Sequence, residues 1–597
     1  MNKETNNLSI WKMIHILLPK VVSVSPLLFI FNSLLFVLDR SFFVISVWRM
    51  QILFDSVNNL AQHKGSLKSA IIALIIYAFV KILGQVINGL VNFSAEAYDQ
   101  KAYGKLSYTI NLKMGKLDPI SFENTDTLEK INKSYSGIRA SLAFVNTTTD
   151  IVFQYIPYFV FMGIYLFKLN SKLIIILPVI FLPVIITYFI RIRVFSKLED
   201  QSAPLRRKAD YYEKTLVSRE YLKETRILGA STYFIRLFKE ALNSLNNLNF
   251  KADLKINLID IGTRFSSLIG YIAVLWILFG SLIRRQISIG AFSAIFASIG
   301  TLFGVMEEVM YGRIGEYSRN IPKMKNYLEF LELPGRQSYE KVKNNTFHGD
   351  IELKNVSFAY PNTNVKAVEN INLTIKKGET IAIVGENGSG KSTLIRLIIG
   401  LYLPQSGEVF HDGKSTKDVL ADNLFNNISG IFQNYQKYQL SLLDNIIISE
   451  WDNNSNPNKD VDSIIEQANI EINTDKFPDR YNTILSREFN GVDLSIGEWQ
   501  HIAIARGLYR AHELIILDEP TSAIDPLEET KIYEKFNKIS KDKTTFIVTH
   551  RLGSIKFADR ILLMKNGSII GSGTHDELLL TCEFYRNMWE SQSQYYK

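Results

Sequence analysis

The run Gly385-Glu386-Asn387-Gly388-Ser389-Gly390-Lys391-Ser392, followed by Thr393, fits the pattern G-x-x-x-x-G-K-[ST]. Glycines let such a loop wrap closely round an anion, and its backbone N–H groups and the following helix N-terminus face the phosphates. Lys391 then reaches the β and γ oxygens, and the Ser392 hydroxyl can ligate Mg²⁺. Further along, the apolar run Leu514-Ile515-Ile516-Leu517 ends in two carboxylates, Asp518 and Glu519. Together the two stretches read as a site that hydrolyses ATP. The elements that must hold them are legible too. Thr380 to Val384 reads as a buried strand and Leu394 to Ile399 as a helix. The phosphate loop therefore sits at a strand-to-helix turn, the context in which the pattern has physical meaning.

At 597 residues the chain is too long for one ordinary domain, and its first half is built of long apolar stretches that belong in a membrane. Net charge is +8, but Lys and Arg are scattered through both halves with no basic arm or aromatic-interleaved patch, which argues against nucleic acid as a partner. The sole cysteine, Cys582, rules out an intrachain disulfide or a cysteine-rich metal cluster and reads as a small, half-buried apolar side chain. Met1 to Lys20 is mixed and polar, without the apolar core or cleavage site of a signal peptide.

A helix needs about 20 apolar residues to cross the hydrocarbon layer. Segments at 21–48, 69–92, 144–167, 173–190, 261–283 and 288–310 approach or exceed that, giving six crossings with both termini on one side. The segments after the second and fourth crossings are long, charged and helix-like, and Arg191 to Lys255 alone holds fourteen Lys or Arg. Charge bias places them in the cytoplasm. An ATPase that must meet cytosolic nucleotide places both termini there as well. The expected layout is a cytoplasmic segment 1–20, a transmembrane domain 21–325 whose helices extend into the cytosol, a linker 326–349 and a nucleotide-binding α/β domain 350–597. The long segments turn at Asp118 to Asn132 and Ser218 to Gly229, where short helices could press on the ATPase or simply be solvated turns. Asp39, Arg40, Lys81, Glu307 and Glu308 fall within crossings. Such residues either line a substrate cavity or pair and sit at interfacial ends.

From Asp350 the pattern changes, and Ile351 to Val356 alternates like a half-buried strand. In order come Tyr360, the phosphate loop, Gln433, Leu494-Ser495-Ile496-Gly497-Glu498-Trp499-Gln500, Asp518-Glu519, Ser522-Ala523-Ile524-Asp525 and Thr549-His550-Arg551. This series resembles the ATPases of ABC transporters. With six preceding crossings, the resemblance extends over the whole chain and points to the exporter type, with a membrane domain fused to a P-loop ATPase. It implies that Tyr360 stacks on adenine, that residues 385–393 cradle the phosphates, and that Asp518 holds Mg²⁺ through water beside Ser392 and Gln433. Glu519 would orient or deprotonate the attacking water, assisted by Lys391 and His550. Gln433 would sense Mg²⁺ and the γ-phosphate, and Asp525 would join the nucleotide site. Ser495 and Gly497 would close over nucleotide bound by a second copy.

One departure stands out. The family's LSGGQ reads LSIGE here, so Ile496 forfeits glycine's access to φ > 0 and brings bulk towards the partner's phosphates, which implies slower closure or turnover. Trp499-Gln500 is similar to the LSGGQWQ form of lantibiotic and related bacteriocin exporters. The expected function is ATP-driven export of an amphipathic modified peptide across a bacterial plasma membrane by a homodimer. Other proteins would then modify the cargo or remove its leader. Multidrug efflux, lipid flipping and a non-transporting peptide sensor or immunity role are the alternatives.

Overall fold

The computed structural model describes residues 10–335, 347–419, 421–450, 461–519, 533–536, 541–549 and 555–593. The chain divides into two compact units, one of Met1–Lys116 with Asp126–Leu333 and the other of Leu117–Thr125 with Pro334–Lys597.

The first unit is helical: α1 (Ile10–Val22), α2 (Pro26–Ala61), α3 (Leu67–Gly115), α4 (Thr125–Asp150), α5 (Ile156–Leu169), α6 (Lys172–Val217), α7 (Arg219–Ile227), α8 (Ser231–Ile283), α9 (Ile289–Glu307) and α10 (Ile314–Leu331). The sequence places the first crossing from Val21, but α2 begins at Pro26. Proline suits the first helical position and cannot extend the helix before it, so the chain breaks there. Ser66 and Ser288 cap α3 and α9 by accepting from the N–H groups of Ser69 and Ala291.

Among the described residues, the helical stretches Pro26–Ala61, Leu67–Gly115, Thr125–Leu169 and Ser231–Ile283 are long and apolar enough to cross a membrane, and Ile289–Val305 is a shorter apolar run. At 49 residues α3 is about 74 Å long, well over twice the hydrocarbon thickness, so it must continue beyond the bilayer. Phe79 and Ile82 of α3 and Trp276 of α8 are exposed, as lipid-facing residues should be. Inward, Tyr158, Leu278, Ala291 and Ala294 are buried together. Asp55 on α2 accepts from the Gly290 N–H at 2.8 Å and from the Ser288 hydroxyl at 2.9 Å, which ties α2 to the start of α9. Arg191 of α6 pairs with Asp260 of α8.

Two π-helical turns interrupt the bundle, Ile151–Tyr155 between α4 and α5 and Glu308–Arg313 between α9 and α10. The in-membrane charges found by sequence mostly pair or pack. Arg40 lies 3.5 Å from Asp39, Lys81 sits 5.7 Å from the Phe43 ring, and Glu308 accepts from the Tyr155 hydroxyl at 2.8 Å.

The second unit has two sheets. Its strands are β1 (Ile351–Ala359), β2 (Lys366–Ile375), β3 (Thr380–Gly385), β4 (Ser406–His411), β5 (Lys414–Ser415), β6 (Ile428–Ile431), β7 (Leu514–Asp518), β8 (Thr544–Val548), β9 (Arg560–Lys565) and β10 (Ser568–Gly573). One sheet is antiparallel, β2-β1-β4-β5; the other runs β10-β9-β3-β8-β7-β6 and is parallel except for the edge strand β10. Buried on both faces, the central strands read as continuous apolar runs. Ile381, Ile383, Ile516 and Phe546 pack under Leu394 and Leu397 of α11 (Lys391–Ile398), which joins the sheets into one core.

Leu117–Thr125 belongs to this unit. Asp118 caps a 3₁₀ turn, Pro119–Glu123, by accepting from the Ile120 N–H, and Ile120 packs against the core. The other expected turning point forms α7, which ends before Gly229 at φ 62°.

Candidate active site

β3 delivers Gly385 and α11 starts at Lys391, so the phosphate loop lies between a central strand and a helix N-terminus. Gly390 has φ 100°, and a side chain there would strike the Ala367 carbonyl oxygen, so both conformation and space demand glycine. Lys391 is buried, and its ammonium donates to the Gly385 and Glu386 carbonyls, each at 2.9 Å. Burial pushes that ammonium below its ordinary pKa, with Glu519 and Asp518 opposing.

Asp518 closes β7 in register with Val548 of β8. Burial raises its carboxyl to about 6, reinforced by the neighbouring Glu519 charge and opposed by Arg396 and Lys391. Glu519 has φ 48°, a left-handed backbone that non-glycine residues rarely hold, pinned by its N–H donating to the Val548 carbonyl at 2.9 Å. Gln433, beyond β6, donates its amide N–H to Glu519 Oε2 at 2.6 Å.

These groups meet in one cavity of about 680 Å³. Tyr360, Gly385, Glu386, Asn387, Gly388, Gly390, Lys391, Ser392, Thr393, Gln433, Asp518 and Glu519 line it. Ser389 lies within the loop with its hydroxyl buried beneath it. Ala367, Val548 and Met588 also line the wall and carry no motif. Val548 was accessible from sequence as the strand residue leading to Thr549-His550, whereas nothing in the sequence marks Met588. The donor set suits Mg²⁺–nucleotide. A cation and a helix N-terminus line the cavity together with hydroxyl, amide and carboxylate oxygens. No group of three or more His, Cys, Asp or Glu among the described residues could hold a metal alone, which fits Mg²⁺ bound by few side chains, with water and phosphate oxygens filling the rest of its shell.

Tyr360 is held by its hydroxyl, which lies 3.0 Å from Thr393 Oγ1 and accepts from Arg396 at 2.9 Å. Arg396 also lies over the Tyr402 ring, and Tyr402 donates to Glu123 Oε1 at 2.6 Å. A continuous contact path thus runs from Tyr360 to the Pro119–Glu123 turn. Arg396 escaped sequence reading although it lies one helical turn beyond Thr393, on the same face.

Ser495 and Gly497 are not among the cavity's lining residues. After α12 (Ala421–Phe425), α13 (Leu442–Ile447) and α14 (Val461–Gln467), they open α15 (Ile496–Tyr509), with Ser495 as N-cap and Glu498 completing a capping box. This corrects the expectation about Ile496. It is the first helical residue and does not adopt positive φ, so isoleucine imposes no backbone strain there, and only its exposed bulk remains. Asp525 and His550 lie outside the described residues.

The family model for ABC transporters matches residues 368–522, which include the phosphate loop, Gln433, Ser495 and the Asp518-Glu519 pair. The chain is an ABC transporter. It is 29% identical to the subtilin transport ATP-binding protein of Bacillus subtilis, over 94% of this chain and 93% of that one. It is 28% identical to the nisin transport ATP-binding protein of Lactococcus lactis subsp. lactis, over 88% of each. An ATP-dependent lipid A-core flippase of Photobacterium profundum is 33% identical over half of each chain. The transporter's fold is that of a bacterial Atm1-family ABC exporter solved with ATP bound, at TM-score 0.82 and 18% identity, over 94% of this chain and 99% of that one. It is a multi-pass membrane protein with a fused ATPase domain, and it couples ATP hydrolysis to export.

Proposed function

We propose that this transporter works as a homodimer in a bacterial plasma membrane, with its termini and ATPase domain in the cytoplasm, and exports a lantibiotic or similar modified amphipathic peptide. The observation that carries the cargo reading is the near end-to-end similarity to the subtilin transport protein. The flippase match from Photobacterium covers only half of each chain.

The 385–393 loop and Lys391 hold the triphosphate, and Tyr360 stacks on adenine. Ser392, Gln433 and Asp518, the last through water, hold Mg²⁺, which would draw charge from the β and γ oxygens when bound. Glu519 accepts the proton of the attacking water, and His550 supports the γ-phosphate; Asp525 belongs to the same site. Ser495 and Gly497, which do not line their own chain's cavity, complete the site of the second copy. A site completed only in the closed dimer gives ATP different affinity for two states, which is what shifts a membrane domain between them.

ATP-dependent uptake of a lantibiotic precursor into inverted vesicles tests the reading. Uptake or ATPase stimulation by lipids or dyes alone would refute the peptide cargo. Separate enzymes would modify the peptide and remove its leader.

A further inference from the structure

Inside the helical unit lies a second chamber, of about 380 Å³, that the ATPase chemistry does not use. By volume it holds about a dozen waters, which suits a side-chain head group and not a whole peptide. Its walls are polar although the helices around it are apolar. Ionisable residues inside a membrane bundle are costly and mark substrate paths when they face its interior.

Both π-helical turns border this chamber. Each inserts an extra residue into its helix turn and re-aims the side chains around it. Arg313, closing the second π turn, reaches Asp150 at 3.2 Å and Glu308 at 3.7 Å, and donates to the Tyr155 hydroxyl at 3.3 Å. Arg40 pairs with Asp39 at 3.5 Å, and the Gln154 amide lies against its guanidinium. The two guanidiniums are thereby matched by carboxylates.

Asp99 is different. It accepts from Asn146 at 2.8 Å and has no cationic side chain within ion-pair distance among the described residues. Three carboxylates line the chamber (Asp99, Asp150, Glu308) against two guanidiniums (Arg40, Arg313), so the lining carries an excess negative charge. Asn32 supplies an independent observation. It lines the same chamber from α2, is 92% buried, and its Oδ1 has no hydrogen-bond donor. An acceptor left unpartnered under burial costs free energy that a bound N–H would recover.

We propose that this chamber recognises a primary ammonium group of the cargo, a lysine side chain or a free amino terminus, with Asp99 supplying the charge and Asn32 Oδ1 an acceptor. An ammonium has three donors and no acceptor, which matches two acceptors backed by a net negative wall. The inference rests on the export reading in taking the occupant to be cargo; the chamber's chemistry stands without it.

The test is fluorescence titration of the full-length protein in lipid nanodiscs with dansylcadaverine, a primary amine on an apolar tether, and with its N-acetyl derivative. The amine should bind at least about ten-fold more tightly, the value of one charged hydrogen bond. Asp99→Asn should abolish that preference, Asp99→Glu should restore it, and Asn32→Asp should increase it. Equal affinity for the two probes, no binding of the amine, or a preference that survives Asp99→Asn would overturn the proposal. The wild-type comparison of probes does not depend on any variant folding. Peptide uptake into inverted vesicles without amine preference would sink the site and leave the export reading standing; amine preference without uptake would do the reverse.

Discussion

Replacing Tyr402 with Phe removes a hydroxyl and keeps a ring. The ring stacks on Phe358 with centroids 5.6 Å apart, so the core contact survives while the 2.6 Å bond to Glu123 is lost. A hydrogen bond to a charged acceptor contributes about 1.5–3 kcal/mol, and Glu123 is exposed, so the lower end applies. At about 1.4 kcal/mol per factor of ten, docking of residues 117–125 on their unit should weaken about ten-fold. The amides of Ser121 and Asn124, bonded within that turn, report the docking directly. Their hydrogen exchange in the full-length protein should quicken about ten-fold while central-strand amides stay protected. Glu123→Ala should do the same, and the double variant little more, because both remove one bond. In vesicles, peptide stimulation of the ATPase should fall more than the basal rate. Unchanged exchange, or single effects that add in full, would show that the Tyr402–Glu123 bond does not hold the turn in place.

Glu519→Gln should lower phosphate release by about 10²- to 10⁴-fold while nucleotide still binds, because the amide cannot take a proton from water; undiminished hydrolysis would remove Glu519 from the chemistry. Burial raises the Asp518 carboxyl to about 6, and under the proposed role its ionised form is the one that would hold Mg²⁺. Mg²⁺ affinity should therefore be full well above that value and fall as pH drops through about 6, as a Mg²⁺ titration of the ATPase at several pH values would show. In Asp518→Asn the affinity should be weak throughout and lose this pH dependence. Ile496→Gly removes exposed bulk at the start of α15 and should raise turnover, at an expense in helix stability of up to about 1 kcal/mol. An equal rate would show that position 496 does not limit closure.

The ATPase chemistry was legible because each motif is a local device. A phosphate loop needs glycines, a lysine and a helix start within a few residues, and a carboxylate pair needs only the end of a buried strand. The chain topology then brings Gln433, Lys391 and Glu519 into one cavity. What sequence left open depends on contacts between distant segments. Leu117–Thr125 reads as a polar break, and nothing local says that Glu123 meets Tyr402, 279 positions away. The charges inside the crossings show the same limit. Asp39-Arg40 and Glu307-Glu308 were visible as anomalies in apolar runs, but Asp99 and Arg313 lie outside the expected spans and read as ordinary stalk residues, and Asp150, near the start of the third span, reads as part of its polar Thr147-Thr148-Thr149-Asp150 edge. The π turns that aim two of them inward have no periodicity signal.

The departure from LSGGQ shows how a local role can account for a residue that looks like a loss. Glu498 occupies the third helical position of α15, where its carboxylate accepts from the Ser495 N–H at 2.8 Å and the Ser495 hydroxyl at 2.7 Å, and it pairs with Lys476. Burial disfavours its charge, yet the bonds from Lys476 and Ser495 outweigh burial and hold the carboxyl below its ordinary pKa. A bare carboxylate here would repel a partner's phosphates; with Lys476 in contact, the pair presents no net charge. The Ser495 proton is meanwhile committed to Glu498. In a shared site the pull of this loop on phosphate would therefore come first from the dipole at the capped N-terminus of α15, and the hydroxyl would contribute only by exchanging one anionic acceptor for another. That exchange is a step the glutamine form of the loop does not face with a charged competitor, and it supplies a reason for slower closure independent of the bulk of Ile496.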